Sequence, residues 1–194
     1  MRPLPLRVHG LFLKWIFAAC FVAGAAALAK LRGTPDAVVI PNVTLGASQL
    51  VGVTWLYVAW WNFPPEDRHF TPFGRVSAFG AIVRLLIPCY GAIWIFTGLS
   101  LFCKAINESL TRREMPMRVP YALAVAPTIV FIGGSWLMFR GDVDARMMLV
   151  CGTGALWFLF MLQCDNARRF MILACLAERE KIAQAQRELD ESRK

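Results

Sequence analysis

Residues 70–107 read FTPFGRVSAFGAIVRLLIPCYGAIWIFTGLSLFCKAIN and decide the fold class of the chain. The stretch is long enough to cross a bilayer, because about 20 mostly apolar residues span the hydrocarbon core. It nevertheless contains Arg84 and, one turn later, Pro88. A charge is costly at the bilayer centre, and a proline removes a hydrogen bond from the helix that contains it. We therefore expect a membrane segment here that is either kinked at the proline or re-entrant.

The chain as a whole has the composition of a membrane protein. Of its 194 residues, 57% are hydrophobic and only 18% are charged, whereas soluble domains have about 25% charged residues. The apolar residues gather into blocks nearly free of charge. The sequence therefore predicts an all-α fold, a polytopic membrane helix bundle of four to five membrane segments. These segments are expected at residues 11–29, 44–62, 76–103, 119–139 and 147–164.

The C-terminal region, residues 165–194, differs from the transmembrane domain predicted over residues 1–164. Its sequence AEREKIAQAQRELDESRK contains strong helix formers and neither proline nor glycine. Glutamates and basic residues recur at helical spacing, as in Arg187 and Glu191. We expect a charged, solvated C-terminal helix that extends the last span, with docking to a partner as the alternative role.

The basic residues constrain the topology, because Lys and Arg collect on the cytoplasmic side of membrane proteins. Five full crossings would place the termini on opposite sides and would fit this rule poorly. If residues 76–103 enter and return, both termini and the loops at 62–75 and 104–118 become cytoplasmic. The only basic residues left on the other side are then Lys30, Arg32, Arg140 and Arg146. The sequence leaves both topologies open, with a cytoplasmic C-terminus preferred.

Arg84 is the one charge well inside an apolar block. It could extend toward the interface, or it could bind a carboxylate, a carbonyl freed by Pro88, or an anionic lipid head group. No span supplies an obvious acidic partner, because Asp67 and Asp165 are expected at span ends. The candidate functional or lipid-anion contact therefore comprises the arginine, the proline and the aromatic end of the second span. Its residues are Arg84, Pro88, Trp60, Trp61 and Asn62.

Reactive residues form no recognisable constellation in the sequence. The six cysteines include no C-x-x-C pair, and the chain has only two histidines, His9 and His69. Structural zinc and redox sites use closely spaced thiolates and imidazoles. The net charge of +8 is not arranged as a basic stripe with interleaved aromatics. We therefore expect no catalytic residue, no metal, no cofactor and no nucleic-acid partner.

Two motifs carry a resemblance to a known family. The sequence WLYVAWWN at residues 55–62, followed by the stretch at 70–107, resembles DUF4328, a family of bacterial multi-span membrane proteins of unknown function. The chain departs from the family at Val58, where members commonly have a basic residue, and at Gly91-Ala92, where they tend to have Asn. The resemblance implies a bacterial inner-membrane protein, and it transfers no catalytic residue.

Two functions are consistent with these patterns. The first is a non-catalytic accessory subunit or scaffold of a larger membrane complex. Besides the lipid bilayer, its partners would be membrane proteins or further copies of the chain, bound through the C-terminal helix and small-residue faces. Such faces are expected at Gly133-Gly134 and at residues 151–154. The alternative is a transporter or channel component that uses Arg84 near a proline-broken helix.

Overall fold

The computed structural model describes residues 12–30, 39–63, 76–87, 90–139 and 143–192. These residues contain helices and no strands, which confirms the all-α class. The helices are α1 (Leu13–Lys30), α2 (Val39–Trp61), α3 (Ala78–Leu86), α4 (Tyr90–Arg112), α5 (Tyr121–Phe139) and α6 (Val143–Ser192).

Three stretches of these helices are long and apolar enough to cross a membrane: Leu13–Lys30, Val43–Trp61 and Met147–Ala174. Large apolar side chains on their outer faces are exposed, among them Val22 and Leu50. Water would be an unfavourable neighbour for so much apolar surface, whereas lipid hydrocarbon is not. The three helices are therefore those expected of a membrane protein.

Helix α1 lies antiparallel to α6. Lys14, at the start of α1, contacts Asp165, whereas Phe21, two turns further along α1, packs on Gly154. The contacted residue number in α6 thus falls as the number in α1 rises. This order of contacts shows that the last helix runs in the direction opposite to the first.

Helix α1 is also antiparallel to α2. Gly24 near the end of α1 faces Thr44 near the start of α2, and Phe17 faces Gly52. Because α2 and α6 are both antiparallel to α1, they run in the same direction as each other. The end of α2 and the Asp165 end of the apolar part of α6 therefore lie at the same end of the bundle.

Two glycines allow helices to pack closely. A Cβ atom at Gly134 of α5 would overlap Leu149 of α6, and one at Gly154 of α6 would overlap the ring of Phe21 in α1. Both predicted small-residue faces thus contribute to packing within the chain. In contrast, a Cβ at Gly133 would have no neighbour among the described atoms.

The central segment, residues 76–103, divides into two helices. The indole Nε1 of Trp94 donates a hydrogen bond to the carbonyl of Ala81, 13 residues earlier, at 2.9 Å. In a straight helix these residues would be about 20 Å apart, which is beyond the reach of an indole. The chain therefore reverses between them, and α3 and α4 form a hairpin (the α3–α4 hairpin). Ile87, which ends α3, has the extended conformation that a residue before proline favours.

The last helix continues without a break past residue 164. The expected boundary was at residue 164, but α6 is one continuous helix of 50 residues. Side chains remain buried in the bundle as far as Met171. Asp165 is consequently buried among the packed helices. No proline or glycine interrupts this part of the helix, so its apolar and charged halves share one axis.

The largest buried side chains gather toward the end of the bundle where α1 begins and α2 ends. They include Phe17, Trp55, Trp60, Phe102 and Phe160. Aromatic rings contribute much apolar area each and prefer tilted or offset contacts. Trp55 and Phe160, for example, meet edge to face with centroids 6.1 Å apart. This aromatic core surrounds the polar groups described next.

Candidate functional site

Side chains from two of the apolar helices, α1 and α2, converge on a carboxylate of the third, α6. Lys14 of α1 donates to Asp165 Oδ2 of α6 at 3.0 Å, and Trp55 Nε1 of α2 donates to Asp165 Oδ1 at 3.2 Å. The Lys14 and Asp165 side chains are only 1% and 0% exposed. Buried charges are tolerated when they are paired and hydrogen-bonded. The carboxylate therefore connects α1, α2 and α6 at one point.

A second cation shares this carboxylate. Arg168, one turn further along α6, donates from its guanidinium to Asp165 Oδ1 at 3.1 Å and is also buried. The cluster of Lys14, Asp165 and Arg168, here called the buried ion cluster, holds two cations and one anion. Without the Asp165 carboxylate, both cations would be buried and would lack this anionic partner. Asp165 is therefore the central member of the cluster.

The sequence did not predict this cluster, because each member has a simpler local interpretation. Lys14 precedes an apolar block and resembles a flanking charge of the positive-inside type. Asp165 follows an apolar block and resembles the start of a solvated segment. One signal could have identified it: the apolar run continues to Ala174, so the acidic residue interrupts a membrane-length stretch. An ionisable residue in such a stretch is a functional-site hypothesis by default.

The predicted residues Trp60, Trp61 and Asn62 have separate positions. Trp60 is buried, stacks on Phe102 at 5.4 Å, and donates from Nε1 to the carbonyl of Val76 at 3.0 Å. It thereby fixes the start of the α3–α4 hairpin. Trp61 is 53% exposed, as an aromatic residue in an interfacial belt would be. Asn62 is half-buried and follows the last residue of α2.

Arg84 lies on the α3–α4 hairpin and is not part of the buried ion cluster. Its guanidinium carbon is 4.7 Å from the centroid of the Trp94 ring, within the range of a cation–π interaction. Trp94 is buried and held by its hydrogen bond to Ala81. In the part of the chain that the structure describes, no carboxylate pairs with Arg84. Pro88, the remaining predicted residue, lies outside the described residues.

Asn107, the last residue of the central stretch, fixes the connection to α5. Its Nδ2 donates to the carbonyl of Val119 at 2.9 Å, and its Oδ1 accepts from the Val119 N–H at 2.8 Å. Cys103 Sγ approaches the same carbonyl at 3.3 Å. One amide side chain thus satisfies both backbone groups of a buried loop residue, which would otherwise carry a desolvation penalty.

Among the described residues, no three His, Cys, Asp or Glu side chains are grouped so that they could hold a metal ion. Comparison of the chain with protein-family models, with curated proteins and with solved structures finds no match in any of the three. The resemblance to DUF4328 over residues 55–107 therefore stays a prediction.

Proposed function

We propose that the protein is a non-catalytic membrane subunit that docks a partner protein on the C-terminal part of α6, residues 175–192. The observation that carries this proposal is the continuity of α6. Its first part lies in the bundle, where the buried ion cluster fixes it to α1 and α2. Its last part, from residue 180 onward, is exposed at every described position. Such a helix is a rigid extension whose orientation is set by the membrane part.

An apolar pair on this extension indicates where a partner would bind. Ile182 and Leu189 are 58% and 54% exposed, and their spacing of i and i+7 places them on one helix face. Ala185 lies between them on the same face. A helix that exposes such a face gains little stability from its own sequence in water, since most helical stability comes from packing. A partner groove or helix that covers this face would supply that packing.

Charge favours a protein partner over the membrane surface. In the 18 residues AEREKIAQAQRELDESRK, acidic and basic residues are intermixed and are equal in number, five of each. Helices that lie on membranes are commonly rich in Lys and Arg, which anionic lipids attract. The balanced charge of residues 177–194 provides no such attraction. The apolar pair is therefore better matched by a protein surface.

The proposed topology has four crossings and one re-entrant hairpin. Because α2 and α6 are parallel, the chain must cross an odd number of times between the end of α2 and the start of α6. Helix α5, with 19 residues, is about 28 Å long and can supply one crossing. Helix α3, with nine residues, is about 13 Å long and enters without crossing. Both termini then share one side, which the distribution of Lys and Arg makes cytoplasmic.

A pair of double variants tests the docking proposal. Ile182→Ser with Leu189→Ser removes the apolar pair, whereas Glu180→Gln with Arg187→Gln alters the opposite face and leaves the net charge unchanged. The full-length chain would be isolated from native membranes in mild detergent, and its complexes would be weighed by native mass spectrometry. We expect a stoichiometric partner protein with the wild type and the Gln double variant, and its loss with the Ser double variant.

Two outcomes would contradict the proposal. One is a wild-type chain that is recovered alone, or only as copies of itself. The other is a partner that both double variants retain equally. Circular dichroism of each variant checks that α6 stays helical, so that loss of the partner reports on the surface and not on unfolding.

A second candidate, a transporter component, is favoured by the buried ion cluster, because charges inside membrane bundles often mark ion pathways. Proton flux into liposomes containing the purified protein and a pH-sensitive dye tests it directly. This candidate requires a flux above that of empty liposomes, abolished by Asp165→Asn and retained in Lys104→Gln. A wild-type flux equal to that of empty liposomes would refute it for protons.

A further inference from the structure

The outer face of the α3–α4 hairpin is apolar and uncovered. Phe79, Val83 and Ile87 occupy the spacing i, i+4 and i+8 and are exposed, Phe79 at 69%. Ala78 and Ala81, on the inner face, are buried. Exposed apolar stripes of this kind continue on the neighbouring membrane-length helices, as at Leu50 of α2. The hydrocarbon of the bilayer is therefore the neighbour that matches this face.

Aromatic residues near the start of the hairpin favour a position at the level of the membrane interface. The indole N–H of Trp60 donates a hydrogen bond to the carbonyl of Val76. The adjacent Trp61 is exposed, and its ring stacks on that of Tyr57. Exposed Trp and Tyr side chains at the end of a span are typical of the head-group level. Arg84 lies seven residues after Ser77, which is about 10 Å further along α3.

The side chain of Arg84 turns back toward the interface. Side chains on a helix tilt toward its N-terminus, which for α3 is the interfacial end. Its guanidinium carbon lies over the ring of Trp94, whose indole N–H donates to the carbonyl of Ala81. A contact with the ring face does not use the guanidinium N–H groups as donors to oxygen, so they can bind another group.

We propose that Arg84, oriented by Trp94, binds the phosphate of an anionic phospholipid beside the α3–α4 hairpin. A guanidinium presents a planar fork of donors that matches two phosphate oxygens. Since no carboxylate of the described residues neutralises it, the described part of the site carries a net positive charge. This charge favours an anionic head group over a zwitterionic one, whose own cation would lie nearby. The proposal is independent of the docking function of α6.

The test uses full-length protein in mild detergent, stripped of lipid and titrated with phosphatidylglycerol or phosphatidylcholine. Native mass spectrometry counts the bound lipids. We expect one phosphatidylglycerol to bind the wild type at least about ten times more tightly than phosphatidylcholine. Arg84→Gln should lose this preference, and Arg84→Lys should keep part of it, because it retains the charge and loses the fork. Arg169→Gln, a matched loss of one exposed charge, should leave the preference unchanged.

Three results would overturn the inference. The preference for phosphatidylglycerol could persist in Arg84→Gln, or it could fall equally in Arg169→Gln, which would indicate general charge attraction. Displacement of the bound lipid by millimolar sodium phosphate would instead assign the site to free phosphate. Thermal unfolding of each variant, followed by circular dichroism, confirms that the comparison concerns folded protein.

Discussion

Lys14 and Asp165 are separated by 151 residues in the chain, yet Nζ of one lies 3.0 Å from Oδ2 of the other. The pair joins the first helix of the bundle to the last. Because Trp55 donates to the same carboxylate, it also includes α2. The orientation of the exposed C-terminal part of α6 depends on this junction, so the buried ion cluster connects the membrane part with the proposed docking surface.

The buried ion cluster predicts an unequal response to its two simplest variants. Asp165→Asn leaves Lys14 and Arg168 buried without their anion and should lower the free energy of unfolding by about 3–5 kcal/mol. Lys14→Met leaves the carboxylate with Arg168 and Trp55, so its cost should be smaller, about 1–3 kcal/mol. Denaturant titration in detergent micelles, followed by Trp fluorescence, measures both.

The double variant and an exposed control complete this test. Lys14→Met with Asp165→Asn should cost less than the sum of the single variants, because the residues interact directly. Lys104→Met breaks an exposed pair with Glu108 and should cost less than about 1 kcal/mol. Additive single-variant effects would show that the two side chains contribute independently.

Two glycines in one turn of α6 should respond in opposite directions to the same substitution. Gly154→Ala places a methyl group against the ring of Phe21 and should destabilise the protein by about 1–3 kcal/mol. Gly152→Ala meets open space and should stabilise it by about 0.5–1 kcal/mol through helix propensity. Thermal unfolding of the two variants checks the sign. Equal shifts would mean that α1 does not pack closely on α6.

The Asn107 contact predicts a graded loss of stability. Asn107→Ala removes both hydrogen bonds to Val119 and should cost about 1–3 kcal/mol. Asn107→Asp keeps the acceptor for the Val119 N–H but places a carboxylate oxygen against the Val119 carbonyl, so it should also destabilise the protein. Thr111→Ala, which removes an exposed hydroxyl from the same helix, serves as the control. The hypothesis fails if all three variants unfold at the wild-type denaturant concentration.

Thiol labelling tests the proposed topology. One cysteine would be introduced at a time, at Asp36, Thr111 or Ser192. Its labelling in intact cells by a membrane-impermeant maleimide would be compared with that of the wild type, which has six native cysteines. Four crossings predict that Asp36→Cys is labelled from outside, whereas Thr111→Cys and Ser192→Cys are labelled only after permeabilisation. If Thr111→Cys and Ser192→Cys reacted from opposite sides, the parity argument for α5 would be wrong.

Features that depend on local chemistry could be predicted from the sequence. The helical class and the apolar blocks were predicted, because membrane length and hydropathy are properties of short segments. The break in residues 76–103 was also expected, because proline acts on its own turn of the backbone. Arg84 was identified as an unusual cation, but its contact with Trp94 was not, since the reversal of the chain brings the two together.

The sequence by itself determined the helical class, the apolar segments of membrane length, the interrupted central segment and the charged C-terminal helix. Only the tertiary structure decided that Lys14 pairs with Asp165, that Trp60 donates a hydrogen bond to the start of the α3–α4 hairpin, and that Phe21 packs on Gly154. The physical reason is the separation along the chain over which each kind of interaction acts. Helix formation follows from neighbouring residues, whereas a contact across 151 residues depends on the direction, register and separation of helices that pack together.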